Sequence, residues 1–147
     1  MRKWMRAWIP AAAMLAGGVT WAAPASVRVL AEGSRSGIVK PARRIARTET
    51  EWRALWIAHY PRGTNMPRVD WAREMVVAVF LGERPTGGYR IAVREAREAG
   101  GKLRLTVVES KPPPEALTTQ AFTSPFQIVA VKKSRLPVEW KVAGPAR

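Results

Sequence analysis

The chain of 147 residues has no cysteine, one histidine (His59) and one aspartate (Asp70). Without cysteine there is no disulfide, thiolate zinc site, iron–sulfur cluster, cysteine nucleophile or thioether-linked lipid anchor. A single histidine excludes metal centres built from two or three imidazoles. No phosphate loop and no dinucleotide fingerprint occurs: Gly82…Gly87-Gly88 lacks the lysine and the following helix that would cradle a phosphate. No metal or cofactor is therefore expected. No internal repeat or low-complexity tract interrupts the chain.

Basic charge is in excess: 25 Lys+Arg against 11 Asp+Glu give +14 and an isoelectric point near 11.5. The charges are scattered. The densest cluster is Arg43-Arg44-Ile45-Ala46-Arg47, and Arg90, Arg94 and Arg97 alternate with Glu95 and Glu98 as on a solvated face. No basic helix stripe or aromatic RNA platform is evident, so nucleic acid is not an expected partner. Arg2, Lys3 and Arg6 precede an apolar run, Ala7–Gly18, broken only by Pro10, and the small residues Ala22-Ala23-Pro24-Ala25 follow. This pattern predicts a signal peptide over 1–25, with cleavage after Ala25 favoured over Ala22 or Ala23, and export to the periplasm or beyond. An uncleaved signal acting as a membrane anchor is the alternative. Residues 1–25 hold three basic and no acidic residues, so their removal lowers +14 to +11.

Residues 26–147 read as one β-rich domain. Thr48-Glu49-Thr50-Glu51 is a capping box in which the Thr48 hydroxyl accepts the Glu51 amide hydrogen while Glu51 reaches back. It opens a helix over about 48–59, with Trp52, Leu55, Trp56 and His59 on one face and Pro61 as the stop. Strands are expected at Ser26–Leu30 (an edge), Ile38–Ile45 (interrupted by Pro41), Glu74–Leu81 (buried on both faces), Tyr89–Val93, Leu103–Val108, Phe126–Lys132 and Pro137–Val142. Gly100-Gly101 marks a hairpin turn. The fold class is mainly β: an antiparallel sandwich or open barrel with one packed N-terminal helix.

Chemistry for catalysis is thin. Ser124, His59 and Asp70 could be written as a triad, yet no serine sits in a Gly-x-Ser-x-Gly elbow. His59, at the end of an amphipathic helix, reads as packing or capping, and Asp70 as the cap of the turn before Trp71. The glutamates lie beside basic residues or in loops, so no carboxylate pair stands out. An enzyme is not expected. Gly82-Glu83-Arg84-Pro85-Thr86-Gly87-Gly88-Tyr89 has a specific shape, because Pro85 sets one φ and the glycines permit positive φ. It reads equally as a tight hairpin or as a preformed, protruding binding loop.

Met75–Gly82 followed by Arg84-Pro-Thr-Gly-Gly-Tyr89, then Thr123-Ser-Pro-Phe-Gln-Ile-Val129 and Leu136-Pro-Val-Glu-Trp140, resembles the PrcB C-terminal domain family. The resemblance spans about residues 75–142, with the helix around Glu51-Trp52 similar to the lead-in of longer members. It implies an exported, non-catalytic protein associated with binding and stabilising a secreted protease. The family's named member, an accessory subunit of a spirochaete surface protease complex, is a lipoprotein; this chain has no cysteine to carry such an anchor. Pro85-Thr-Gly-Gly-Tyr89 is also similar to the Pro-Thr-Thr-Gly-Tyr loop of chagasin-type inhibitors, which wedge loops into protease clefts. Ser124-Pro125-Phe126 is a loose match to their Arg-Pro-aromatic loop, and their Gly-rich loop has no counterpart.

The expected function is thus a protein-binding module, an accessory, stabilising or inhibitory partner of a secreted protease. Arg84, Pro85, Thr86, Gly87, Gly88 and Tyr89 would form the central loop, with Thr123, Ser124, Pro125 and Phe126 beside it. In that loop Thr86 would supply a hydroxyl, and Arg84 and Tyr89 would anchor contacts. The alternative is a basic envelope-associated structural protein on an anionic cell-surface polymer or lipid.

Overall fold

The computed structural model describes residues 27–144; the expected signal peptide, residues 1–25, lies outside them. Strands form at β1 (Arg28–Gly33), β2 (Ala42–Ala46), β3 (Glu74–Phe80), β4 (Arg90–Ala99), β5 (Lys102–Ser110), β6 (Phe126–Lys132) and β7 (Val138–Ala143), with one helix, α1 (Glu49–His59). They build two sheets, ordered β1-β6-β3-β2 and β4-β5-β7. The architecture is mainly β and sandwich-like; two separate sheets replace the open-barrel alternative.

The uninterrupted apolar runs of β3 and β6 form the middle of the four-stranded sheet because both of its faces are covered. Met75, Val77 and Val79 of β3 and Val129 and Val131 of β6 face the other sheet, meeting Val93, Leu105 and Val107. Val76, Ala78, Phe80 and Ile128 face the opposite way, toward Trp52, Leu55 and Trp56 of α1. Strand alternation thus divides one apolar run between two cores. The three-stranded sheet has only one covered face, and β5 accordingly alternates: Leu103, Leu105 and Val107 are buried, Lys102 and Arg104 exposed.

Helix α1 begins as its sequence requires. Thr48 has extended dihedrals (φ −132°, ψ 158°), and its hydroxyl accepts the Glu51 N–H at 3.2 Å. The Glu51 carboxylate reaches one residue further back than the capping box implies, accepting the Arg47 N–H at 2.7 Å. At the other end the Tyr60 N–H donates to the Trp56 carbonyl, and Pro61 cannot extend the ladder. Trp52 is 1% exposed, and its indole N–H donates to the Pro67 carbonyl at 3.0 Å.

Four sequence expectations change. The sandwich is not wholly antiparallel: β5 and β7 run parallel. After β6 the chain leaves one sheet and enters the other alongside β5, and alternation in Val138–Ala143 carries no sign of direction. Strand β4 extends through Arg94–Ala99, because a bulge between Val93 and Glu95 shifts the alternation and leaves Ala96 buried within a charged stretch. The second strand begins only after Pro41, at Ala42, and β1 runs past Leu30 to Gly33. As expected, β1 is an edge, and Gly100 and Gly101 (φ +60° and +73°) turn the β4–β5 hairpin.

Candidate interaction site

The topology gathers three connections at one end of the sandwich: 34–41 after β1, 81–89 after β3, and 111–125 after β5. The Arg84–Tyr89 segment lies in the middle of them. On one side the Glu83 N–H donates to the Val39 carbonyl at 2.8 Å. On the other, Arg84 and Thr123 exchange both backbone hydrogen bonds, at 2.7 and 2.9 Å, and the Gly87 N–H donates to the Thr119 carbonyl. The Thr123 hydroxyl adds a bond to the Thr86 carbonyl at 2.8 Å. The loop is therefore a clamped strut between two neighbours, which replaces the picture of a loop protruding alone.

Glycine is required at two positions of this strut. Gly82 (φ +86°) would place a Cβ 2.9 Å from the Pro41 nitrogen, and Gly88 (φ +88°) would place one 2.8 Å from Pro112 Cβ. Gly87 lacks positive φ, and a Cβ there would meet Thr119 at an ordinary 3.5 Å. The left-handed conformation expected of the Gly87-Gly88 pair thus falls on Gly88 alone.

The side chains of the segment are held by contacts within it. The Thr86 hydroxyl donates to the Gly87 carbonyl at 3.1 Å and so serves the loop's own shape. The Arg84 guanidinium lies 5.8 Å from the Tyr89 ring centroid, a cation–π pair across the loop. Thr123 lies beside Arg84 and Thr86, whereas Ser124, Pro125 and Phe126 are buried beneath the site. The Ser124 hydroxyl donates to the Ser36 carbonyl at 2.9 Å and accepts the Ser36 N–H at 2.8 Å. Phe126 packs on His59, with ring centroids 4.1 Å apart.

His59, 4% exposed, anchors the 34–41 connection from below. Its Nδ1 lies 2.9 Å from the Ser36 hydroxyl, and its carbonyl accepts the Gly37 N–H at 2.7 Å. Burial holds the imidazole pKa below its ordinary value. The triad written from sequence is not assembled: Ser124 and His59 each bond Ser36, and Asp70 Oδ1 accepts the Ala72 N–H.

Residues that the sequence reading passed over complete the surface. Val39, Leu117 and Phe122 are 49%, 103% and 72% exposed. Each lies within two residues of a hydrogen bond that clamps the strut, at Val39, Thr119 and Thr123 respectively. The available signal was that Leu117 and Phe122 are isolated large apolar side chains within a Pro- and Thr-rich loop outside any strand pattern. All three thus stand on connections that the strut braces.

Fold and site together describe a β-sandwich with three mutually braced loops gathered at one end. Residues 75–132 match the model of the family described as PrcB C-terminal, so the resemblance is borne out over β3 to β6, a segment that carries two of the three loops. That family suggests the role of a protease-complex-associated subunit. No match is found among curated proteins or among solved structures.

Proposed function

We propose that the chain is an exported, non-catalytic protein-binding module that docks on a subunit of a secreted protease complex through its three-loop end. The observation that carries this reading is the placement of Val39, Leu117 and Phe122 on both sides of the clamped Arg84–Tyr89 strut. Their apolar surface is held on backbone already ordered by hydrogen bonds, so little conformational entropy remains to be lost on docking. The strut sets the spacing of the contact side chains, and the contact itself is made by the flanking loops, Pro85 and the Arg84–Tyr89 pair.

The test is co-purification from cross-linked host envelope, followed by identification of protease subunits. A Leu117→Asp/Phe122→Asp double variant should lower their recovery at least about tenfold, as loss of central apolar contacts does at protein interfaces. Lys102→Asp, exposed at the β4–β5 hairpin where β5 begins, should leave recovery unchanged. Equal recovery with the double variant, folded by circular dichroism, would overturn the reading.

A further inference from the structure

On the flank of the sandwich, beside the three-loop end, the free edges of β1 and β4 leave a groove of about 480 Å³. Its walls include Glu32, Gly33 and Ser34 on one side and Gly88 and Ile91 on the other, with Phe126 between them. This volume lies within the range of small-ligand and short-peptide sites.

The backbone in this groove has a definite polarity. The Val93 N–H donates to Gln127 Oε1 at 2.7 Å, so it points away from β5. Two residues earlier on the same strand, Ile91 has the same orientation, opposite Glu109 in the ladder. Its N–H and C=O therefore face the groove, and among the described residues neither has a backbone partner outside the ladder. Gln127 closes the edge at Val93 and leaves it open at Ile91. An open strand edge is a template for one more strand. Glycine and serine on the facing wall leave room for a backbone to approach.

One carboxylate, that of the exposed Glu32, lines the groove. Glu32 Oε2 accepts from Gln127 Nε2 at 2.9 Å, while no partner is found for Oε1 among the described residues. Gln127 is only 6% exposed. Bonded to both Val93 and Glu32, it fixes the carboxylate relative to the β4 edge. Arg90 also lines the groove, from a position whose side chain leaves the outer face of its sheet by strand alternation.

We propose that this groove takes a short extended segment of a partner polypeptide as an added strand on β4 at Ile91, with a lysine or arginine of that segment facing Glu32. Main-chain hydrogen bonds supply the attachment, and the Glu32 carboxylate, held by Gln127, supplies selectivity. The groove shares Gly88 and Tyr89 with the strut, but the added strand bonds at Ile91 and needs neither Leu117 nor Phe122.

The absence of cysteine makes the test clean. A Ser34→Cys variant carries one thiol at the rim of the groove, to which two peptides, Ac-Cys-Gly-Val-Lys-Val-Thr-NH2 and its Lys-to-Glu counterpart, can be tethered by disulfide exchange against 2-mercaptoethanol. The lysine peptide should survive about tenfold more reductant than the glutamate peptide, the Ile91 amide should exchange about tenfold more slowly, and Glu32→Gln should abolish the preference. The Leu117→Asp/Phe122→Asp double variant should change none of this, which separates the outcome from that of the loop-tip test. Equal retention of the two peptides, or an Ile91 amide that stays unprotected in the tethered lysine adduct, would overturn the proposal.

Discussion

The chain uses the dipeptide Gly-Gly twice, for different ends. At Gly100-Gly101 both residues have positive φ, and a Cβ on Gly101 would meet nothing within 4 Å. The turn is local: it reverses the chain between β4 and β5 and touches little else. At Gly87-Gly88 only the second residue has positive φ, and its surroundings are Pro112 and Thr118 of another loop. The same two letters specify a hairpin in one place and a tertiary junction in the other. What separates them is the neighbour brought in from far along the chain, and that neighbour is where the three-loop site begins.

This contrast can be broken by substitution, beginning with the largest effect. Gly88→Ala forces a Cβ to within 2.8 Å of Pro112 Cβ at a φ of +88°. It should cost about 2–4 kcal/mol in urea unfolding, as strain and overpacking add. The 111–125 loop should also lose hydrogen-exchange protection. A destabilisation no greater than that of Gly101→Ala would show that the junction is as local as the hairpin.

Acid should weaken the loop end next. His59 has its folded pKa depressed by burial, so its neutral form contributes stability that is fully present above the unfolded value of about 6.5. That stability is lost as pH falls from there through the folded pKa, at up to about 1.4 kcal/mol per unit for one proton. Between pH 7.5 and 5.5, amides of 34–41 should lose protection while those of the Gly100-Gly101 hairpin should not. His59→Gln should flatten this dependence.

Smaller effects follow. Gly101→Ala meets backbone strain alone and should cost about 1–2 kcal/mol by chemical denaturation. Gly87→Ala, with φ outside the left-handed region and an ordinary 3.5 Å contact, should fall within about 0.5 kcal/mol of wild type. The order Gly88, Gly101, Gly87 would be hard to obtain if the glycines were interchangeable loop residues.

Local chemistry was legible where neighbours in sequence decide structure. Thr48 and Glu51 announce the helix, and Glu74–Phe80 and Phe126–Lys132 announce their own burial. The loop at Arg84–Tyr89 could be singled out by Pro85 and its glycines, but not its clamp. The bonds to Val39, Thr119 and Thr123 join residues more than 30 positions away. The direction of β7 was equally hidden, since side-chain alternation is the same in parallel and antiparallel strands. The bulge after Val93 disguised half of β4 as a charged surface loop. The resemblance sets Ser124 and Phe126 beside the loop, whereas the bonds to Ser36 and the packing on His59 place them underneath it. Leu117 and Phe122 carry no pattern, and only their exposure on a braced loop gives them meaning.

The central claim, that the three-loop end is the docking surface, is tested most directly by site-specific photo-cross-linking in the host. A benzophenone side chain placed at Leu117 should give a discrete adduct containing a protease-complex subunit, and one placed at Lys102, beside the bare hairpin, should give none. An adduct with that subunit from Lys102 and not from Leu117 would contradict the account.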